Sequence, residues 1–140
     1  MMCGHDLHSV AEGEFKNDLK HGRGTYKYNT GNVFTGEYVD GKQCGQGTYR
    51  WTTGEVYVGQ WFNNMMCGPG VMTYTDGSSY SGMWLNDQRH GNGTMVYKNG
   101  DVYSGCYVDN KMHGHGVMMY INGHRYDGEW RDDEKLVTPQ

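Results

Sequence analysis

"GQGTYRWTTGEVYVGQW", residues 45–61, decides how this chain folds. Four glycines and four aromatic residues share its seventeen positions, a mixture that suits neither a helix nor an ordinary strand-rich core. Glycine in a strand loses backbone entropy and brings no side chain to pack. Tyrosine and tryptophan bring large apolar rings that must be covered. A stretch dense in both is built so that each answers the other.

Working outward, the whole chain repeats this stretch every 23 residues. Gly22, Gly45, Gly68, Gly91 and Gly114 superpose, as do Gly24, Gly47, Gly70, Gly93 and Gly116, and Gly31, Gly54, Gly77, Gly100 and Gly123. A fourth column runs from Gly13 through Gly36, Gly59, Gly82 and Gly105 to Gly128, leaving only Gly4 and Gly41 outside. The rings keep step: Phe34, Tyr57, Tyr80, Tyr103 and Tyr126; Phe15, Tyr38, Trp61, Trp84, Tyr107 and Trp130; Tyr28, Trp51, Tyr74, Tyr97 and Tyr120. Tyr26 and Tyr49 share a column with Met72, Met95 and Met118, and Phe62 alone stands apart. A period kept without insertion or deletion marks a repeat array, which buries apolar surface between neighbouring repeats rather than in one central core.

Each period reads as two short strands. "NVFTGEYV" (32–39) and "EVYVGQWF" (55–62) alternate and are rich in β-branched and aromatic residues, as are "GTYRW" (47–51) and "GVMTY" (70–74). Between them, "YNTGN", "WTTGE", "YTDGS", "YKNGD" and "YINGH" read as tight turns whose glycine takes positive φ. A three-residue loop ending in Gly54, a type I turn plus bulge, keeps the rings of both strands on one side; a two-residue Thr53-Gly54 turn would split them. The other link, such as "DGKQCGQ" (40–46), reads as a longer loop. The expected fold is all-β: an elongated, single-layer antiparallel meander of tandem hairpins, eleven strands over residues 10–131, roughly 48 Å long at about 4.8 Å per strand. Residues 1–9 and 132–140 read as tails. Phe34, Gly36 and Tyr38 point to one face, as do Gly47, Tyr49 and Trp51, so rings lie over glycines and a sheet without a second layer still removes apolar area from water.

Units such as "YVGQWFNNMMCGPGVMTYTDGSS" (57–79) and "YSGMWLNDQRHGNGTMVYKNGDV" (80–102) resemble MORN repeats, the membrane occupation and recognition nexus motif, in their Y-x-G-x-W, H-G-x-G and final N-G or D-G. The resemblance covers residues 10–131 as five periods and a closing strand. Departures are Phe34 for the first tyrosine, Tyr38 and Tyr107 for tryptophan, Cys44 and Cys67 for histidine, and a degenerate first strand with Ala11. It implies a twisted meander used as a scaffold or docking surface, sometimes dimeric, sometimes attached to membranes. Choline-binding repeats are also glycine- and aromatic-rich hairpins, but their period is nearer 20 residues and they lack G-x-G-x-Y.

No constellation argues for catalysis. "GRGTYK" and "GQGTYR" lack the third glycine of G-x-G-x-x-G, any following Lys-Ser/Thr, and the helix that would bring its dipole. Glu37, Glu55 and Glu129 sit on exposed strand positions and read as solvating charges. No serine or cysteine has the surroundings of a nucleophile, so the chain reads as a non-enzyme without a cofactor. His21, Cys44, Cys67, His90 and His113 form one column of potential zinc ligands. Equivalent positions are two strand spacings apart, roughly 9 to 10 Å, whereas the ligands of one zinc lie within about 4 Å of each other. No intrachain metal site is expected, Cys44 and Cys67 should be free thiols, and a site between two chains stays open. Cys3 and Cys106 add no C-x-x-C.

Charge and hydropathy narrow the partner class. The net charge of −4 opposes nucleic acid. The N-terminus "MMCGHDLHSV" lacks a basic segment followed by an apolar run, and no stretch nears the ~20 apolar residues of a membrane span. The expected location is the cytoplasm, with association to cytoskeleton or membranes. Between Lys16 and Arg50 six basic residues outnumber three acidic ones; from Asp101 onward seven acidic outnumber four basic. Two functions follow. The first is a noncatalytic scaffold that binds a protein or peptide, such as an amphipathic helix, or a second copy as a homodimer. Its aromatic face would contribute Tyr38, Tyr49, Trp51, Tyr57, Trp61, Tyr74, Tyr80 and Trp84, on the expectation that a sheet with no second layer leaves rings uncovered. The second is anionic phospholipid binding by Lys16, Lys20, Arg23, Lys27, Lys42 and Arg50.

Overall fold

The structure, a computed structural model, describes residues 10–16 and 19–137, with the side chains of residues 10–16 and of Lys20 outside that description. The expected N-terminal tail, residues 1–9, lies outside the described residues. Twelve strands follow one another: β1 (Val10–Lys16), β2 (Leu19–Lys27), β3 (Val33–Val39), β4 (Lys42–Arg50), β5 (Val56–Phe62), β6 (Met65–Thr73), β7 (Ser79–Leu85), β8 (Gln88–Val96), β9 (Val102–Val108), β10 (Lys111–Met119), β11 (Arg125–Arg131) and β12 (Glu134–Lys135). They form one open antiparallel sheet in which every strand pairs with its chain neighbours. The eleven expected strands are all present, and the two-residue β12 adds a last rung through Trp130↔Lys135 and Arg131↔Glu134.

The short turns have the expected geometry. Gly54 N–H donates to the Trp51 carbonyl at 3.1 Å, and Trp51 N–H to the Glu55 carbonyl at 3.0 Å, closing a three-residue loop with Gly54 at φ 112°. The same pair of bonds recurs at Tyr28, Tyr74, Tyr97 and Tyr120. The consequence is register: Tyr49 faces Tyr57, Gly47 faces Gly59 and Gly45 faces Trp61. Directly opposed residues share a face, so Tyr49, Trp51, Tyr57 and Trp61 emerge on one side.

The other link differs from expectation. Asp40-Gly41 is a two-residue turn, not a loop reaching residue 46, and its equivalents are Asn63-Asn64, Asn86-Asp87, Asp109-Asn110 and Asp132-Asp133. Both residues of each pair have positive φ, from 48° to 80°, the type I′ geometry that suits the right-handed twist of a hairpin and that Asn and Asp tolerate. The surplus length is absorbed inside the strand. Gly36 pairs with Gly47 but Glu37 pairs with Cys44, so Gly45-Gln46 bulges out, with Gly45 at φ 65°. That bulge requires the first glycine of G-x-G.

These turns are also stitched to one another across a full repeat. Asn110 N–H donates to the Arg89 carbonyl at 2.9 Å, and Asn110 Oδ1 accepts from Arg89 N–H at 2.8 Å. Asn64 does the same with Gln43, Asp87 with Met66, and Asp133 with Met112. Turn residues here serve as struts that fix the pitch along one edge of the sheet.

Candidate partner-binding face

Among the described residues, every buried apolar side chain lies on the ring-bearing side. Phe34, Tyr57, Tyr80 and Tyr103 are fully buried, and Tyr38, Trp61, Trp84, Tyr107 and Trp130 nearly so. Each ring meets the next edge to face. Tyr57 contacts Trp61 and Trp84 at 5.4 Å with ring planes 90° and 86° apart, and Tyr80 contacts Trp84 and Tyr107 at 5.2 and 5.1 Å. That is the arrangement the ring quadrupole favours. Glycines make the room: a Cβ on Gly59 would lie 2.6 Å from Tyr57 Oη, and one on Gly47 would strike the Phe34 ring.

Six of these rings have their polar ends satisfied within the sheet. Tyr57, Tyr80 and Tyr103 hydroxyls donate to the carbonyls of Gln60, Met83 and Cys106 at 3.0, 2.9 and 2.9 Å. Trp61, Trp84 and Trp130 indoles donate to the carbonyls of Gly47, Gly70 and Gly116 at 3.2, 3.2 and 3.1 Å. Burial pushes the Tyr80 phenol up to about 12 and the Tyr57, Tyr103 and Tyr107 phenols further. The ladder is a closed floor with little left to offer a ligand.

A second row stands above that floor. Tyr28, Trp51, Tyr74, Tyr97 and Tyr120 are half-buried and pack against the core. Beside them runs a column whose residue type changes in each repeat: Gln43, Met66, Arg89, Met112 and Lys135. Gln43 Nε2 donates to Tyr28 Oη at 2.9 Å, and Arg89 Nη1 to Tyr74 Oη at 3.1 Å. Arg89 also donates to the Asn110 carbonyl at 2.8 Å, with its guanidinium carbon 5.4 Å from the Tyr107 ring centre. Burial raises the Tyr74 phenol, and the Arg89 charge opposes that rise. The Lys135 ammonium lies 5.0 Å from the Tyr120 ring centre. Sequence reasoning passed over this column, although its failure to repeat was the available signal.

Hollows open between the rings of the upper row. One of about 430 Å³ is lined by Tyr49, Trp51, Trp61, Met66, Asn64 and Asp87 among others. Another, of about 310 Å³, lies between Trp51 and Tyr74 with Glu55 at its rim. A third, of about 600 Å³, is lined by Tyr97, Met118, Asp76, Lys98, Asn99 and Asp101. Ser78 N–H and Oγ donate to Asp76 Oδ1 and hold its carboxyl below the usual carboxylate range.

The eight sequence-predicted contact residues therefore divide. Tyr49, Trp51 and Tyr74 are half-buried beside hollows, whereas Tyr38, Tyr57, Trp61, Tyr80 and Trp84 are buried in the ladder. The expectation that rings would be left uncovered overlooked edge-to-face packing across the repeat boundary. The predicted lipid contacts fall elsewhere. Lys27 and Arg50 flank Val33, Arg23 faces Glu37, and Lys42 faces Val39, all on the side opposite the rings. The Lys16 and Lys20 side chains lie outside the described residues. In the histidine and cysteine column, His90 Nδ1 is 3.8 Å from Asp109 Oδ1 and His113 Nδ1 is 3.7 Å from Asp132 Oδ1. Cys44, Cys67 and Cys106 are free thiols, and burial, with Glu37 nearby, raises the Cys44 thiol.

Among solved structures, the chain is similar to the TCP domain of SAS-4 (dCPAP) of Drosophila melanogaster, solved in complex with a proline-rich motif of Ana2 (dSTIL). The identity is 9% and the TM-score 0.43, covering 78% of this chain and 72% of that one. No curated protein matches. Comparison with protein families matches the MORN repeat at residues 12–33, 34–56, 57–79, 80–102, 103–125 and 126–135. Six consecutive matches, in step with the hairpins and their glycine-cradled rings, place this chain in the MORN repeat family.

Proposed function

We propose that the protein is a noncatalytic docking scaffold that holds a protein or peptide partner on its aromatic face. The observation that carries this reading is the row of half-buried rings, Trp51, Tyr74 and Tyr97, fronting open hollows above a floor of closely packed, buried rings. Binding sites of this kind combine concavity, aromatic lining and a few polar groups at the rim. The floor holds them rigid, so a ligand orders few side chains on binding.

The test is photo-crosslinking from two places. Benzoylphenylalanine introduced at Tyr74, on the aromatic face, should form an adduct with a defined polypeptide of the source cell, and the same group at Val58, on the opposite face, should not. Equal labelling from both positions would reject the face. An adduct with a second copy of the chain would make the partner a homodimer. The rival reading, anionic phospholipid, uses the opposite face, where Arg23, Lys27, Lys42 and Arg50 are exposed. Salt-sensitive sedimentation with phosphatidylserine vesicles, unaffected by Trp51→Ala, would favour it.

A further inference from the structure

The upper row of rings is a ruler. Trp51, Tyr74 and Tyr97 are equivalent positions of successive repeats, two strands apart in a sheet of strictly sequential order. Two strand spacings are about 9.4 to 9.8 Å. A ligand lying along the array, across the strands, must bring like side chains to one side at that interval.

Chain conformations differ sharply in this respect. The polyproline II helix has three residues per turn and about 3.1 Å per residue, so every third side chain returns to the same side after about 9.3 Å. An α-helix returns to the same side after seven residues, about 10.5 Å, and drifts further from the rings with each repeat. An extended strand alternates every residue, so its third side chain points away. Only the polyproline conformation stays in step over three rings.

Charge and hydrogen bonding select within that class. Glu55, Asp76, Asp87 and Asp101 line the three hollows, against Lys98 in their lining and the Arg89 guanidinium on the Tyr74 hydroxyl, a four-to-two excess of carboxylates that favours a cationic ligand. A polyproline II segment has no internal hydrogen bonds and presents bare carbonyls. Trp61, Trp84 and Trp130 direct their indole N–H to glycine carbonyls; the Trp51 indole makes no such bond, so its N–H is available. The Tyr74 hydroxyl accepts from Arg89 and keeps its own proton to donate.

We propose, on the basis of the docking reading above, that the occupant is a basic proline-rich segment in the polyproline II conformation. It lies along the array with every third residue on Trp51, Tyr74 and Tyr97, its cations directed at the rim carboxylates. Proline supplies a ring that stacks on each aromatic and a backbone already ordered before binding, which lowers the entropy lost.

The full chain is titrated by fluorescence anisotropy with four labelled peptides: four repeats of Pro-Ala-Arg; an isomer of identical composition with its prolines consecutive; four repeats of Pro-Ala-Glu; and a cationic amphipathic helix. The first should saturate and bind on the order of tenfold tighter than each of the others. Trp51→Ala with Tyr74→Ala should remove that binding, with circular dichroism and melting to verify the fold, while Val71→Ser on the opposite face should not. No saturation by the first peptide up to about 1 mM, or equal affinity for the isomer, would overturn the proposal. Tighter, Trp51-dependent binding of the helix would overturn the polyproline occupant and leave the docking face standing. Binding that survives the double variant in full would remove both.

Discussion

The two faces of this sheet are built from the same strands yet carry opposite loads. On one, rings alternate with glycines, the rings interlock across repeat boundaries, and Phe34, Tyr57, Tyr80 and Tyr103 reach zero exposure without any second layer of structure. On the other, valines and polar residues stand in solvent, as in Val33, Thr35, Glu37 and Val39 of β3, with Val58 49% exposed and Phe62 69% exposed. A β-strand sends successive side chains to opposite sides, so one sequence can write a core and a solvated surface into the same nine residues. A single-layer protein makes its core sideways, from repeat to repeat, and not between layers.

High pH should strike only the ring face, and it should produce the largest effect. Burial pushes the folded Tyr80 phenol up to about 12 from about 10 in the unfolded chain, and Tyr57, Tyr103 and Tyr107 are raised in the same direction. Between pH 10 and about 12 the unfolded chain has released phenolic protons that the folded chain retains, so stability falls as pH rises. Tyrosinate absorbance and loss of β circular dichroism should rise together in one cooperative step within that window. Buried tyrosines titrating separately from unfolding would break the picture of a closed ladder.

Substitution sharpens the contrast. Tyr80→Ala should cost about 3 to 5 kcal/mol in denaturant unfolding, because it empties a fully buried site and breaks two ring contacts. The exposed Val71→Ala, on the other face, should stay within about 0.5 kcal/mol of wild type. Equal costs would mean that the two faces are not different in kind.

Filling a glycine cradle is the next smaller change. A Cβ on Gly93 would run into the Tyr80 ring, so Gly93→Ala should cost about 1 to 3 kcal/mol, measured by thermal melting. Asn110→Ala, at the edge, should cost about 1 to 2 kcal/mol. It strips the acceptor from the Arg89 N–H and puts a residue with no turn-forming side chain at φ 73°. Smallest of all on stability, at about 1 kcal/mol or less, should be Trp51→Ala, whose ring is half-buried above the floor; its effect belongs in partner affinity. If Trp51→Ala melts like Tyr80→Ala, the distinction between floor and upper row collapses.

Much of the architecture was legible in the sequence because the period is uninterrupted. Columns of glycine and ring define strand phase, and Gly54 at the end of a three-residue loop already implies that Tyr49 and Tyr57 share a side. The Asp40-Gly41 link was misread although Asp-Gly is itself a hairpin signal, because its equivalents Asn63-Asn64, Asn86-Asp87, Asp109-Asn110 and Asp132-Asp133 lack that glycine and carry a weaker one. The two extra residues around Gly45 look like loop until their pairing with β3 is seen. Candidate contacts were less legible still, since Tyr74 and Tyr80 are the same residue type and differ only in what surrounds them.

By itself the sequence determined the repeat, the hairpin turns at Gly31, Gly54, Gly77, Gly100 and Gly123, and the single face that carries the repeating rings, because those depend on periods of two and 23 along the chain. Only the tertiary structure decided which rings are floor and which stand at the surface. That depends on contacts between positions 15 or more residues apart, such as Tyr57 against Trp84 and Arg89 between Tyr74 and Asn110. Edge-to-face packing and the struts between turns arise when repeats stack, and burial is a property of the stack that no single repeat possesses.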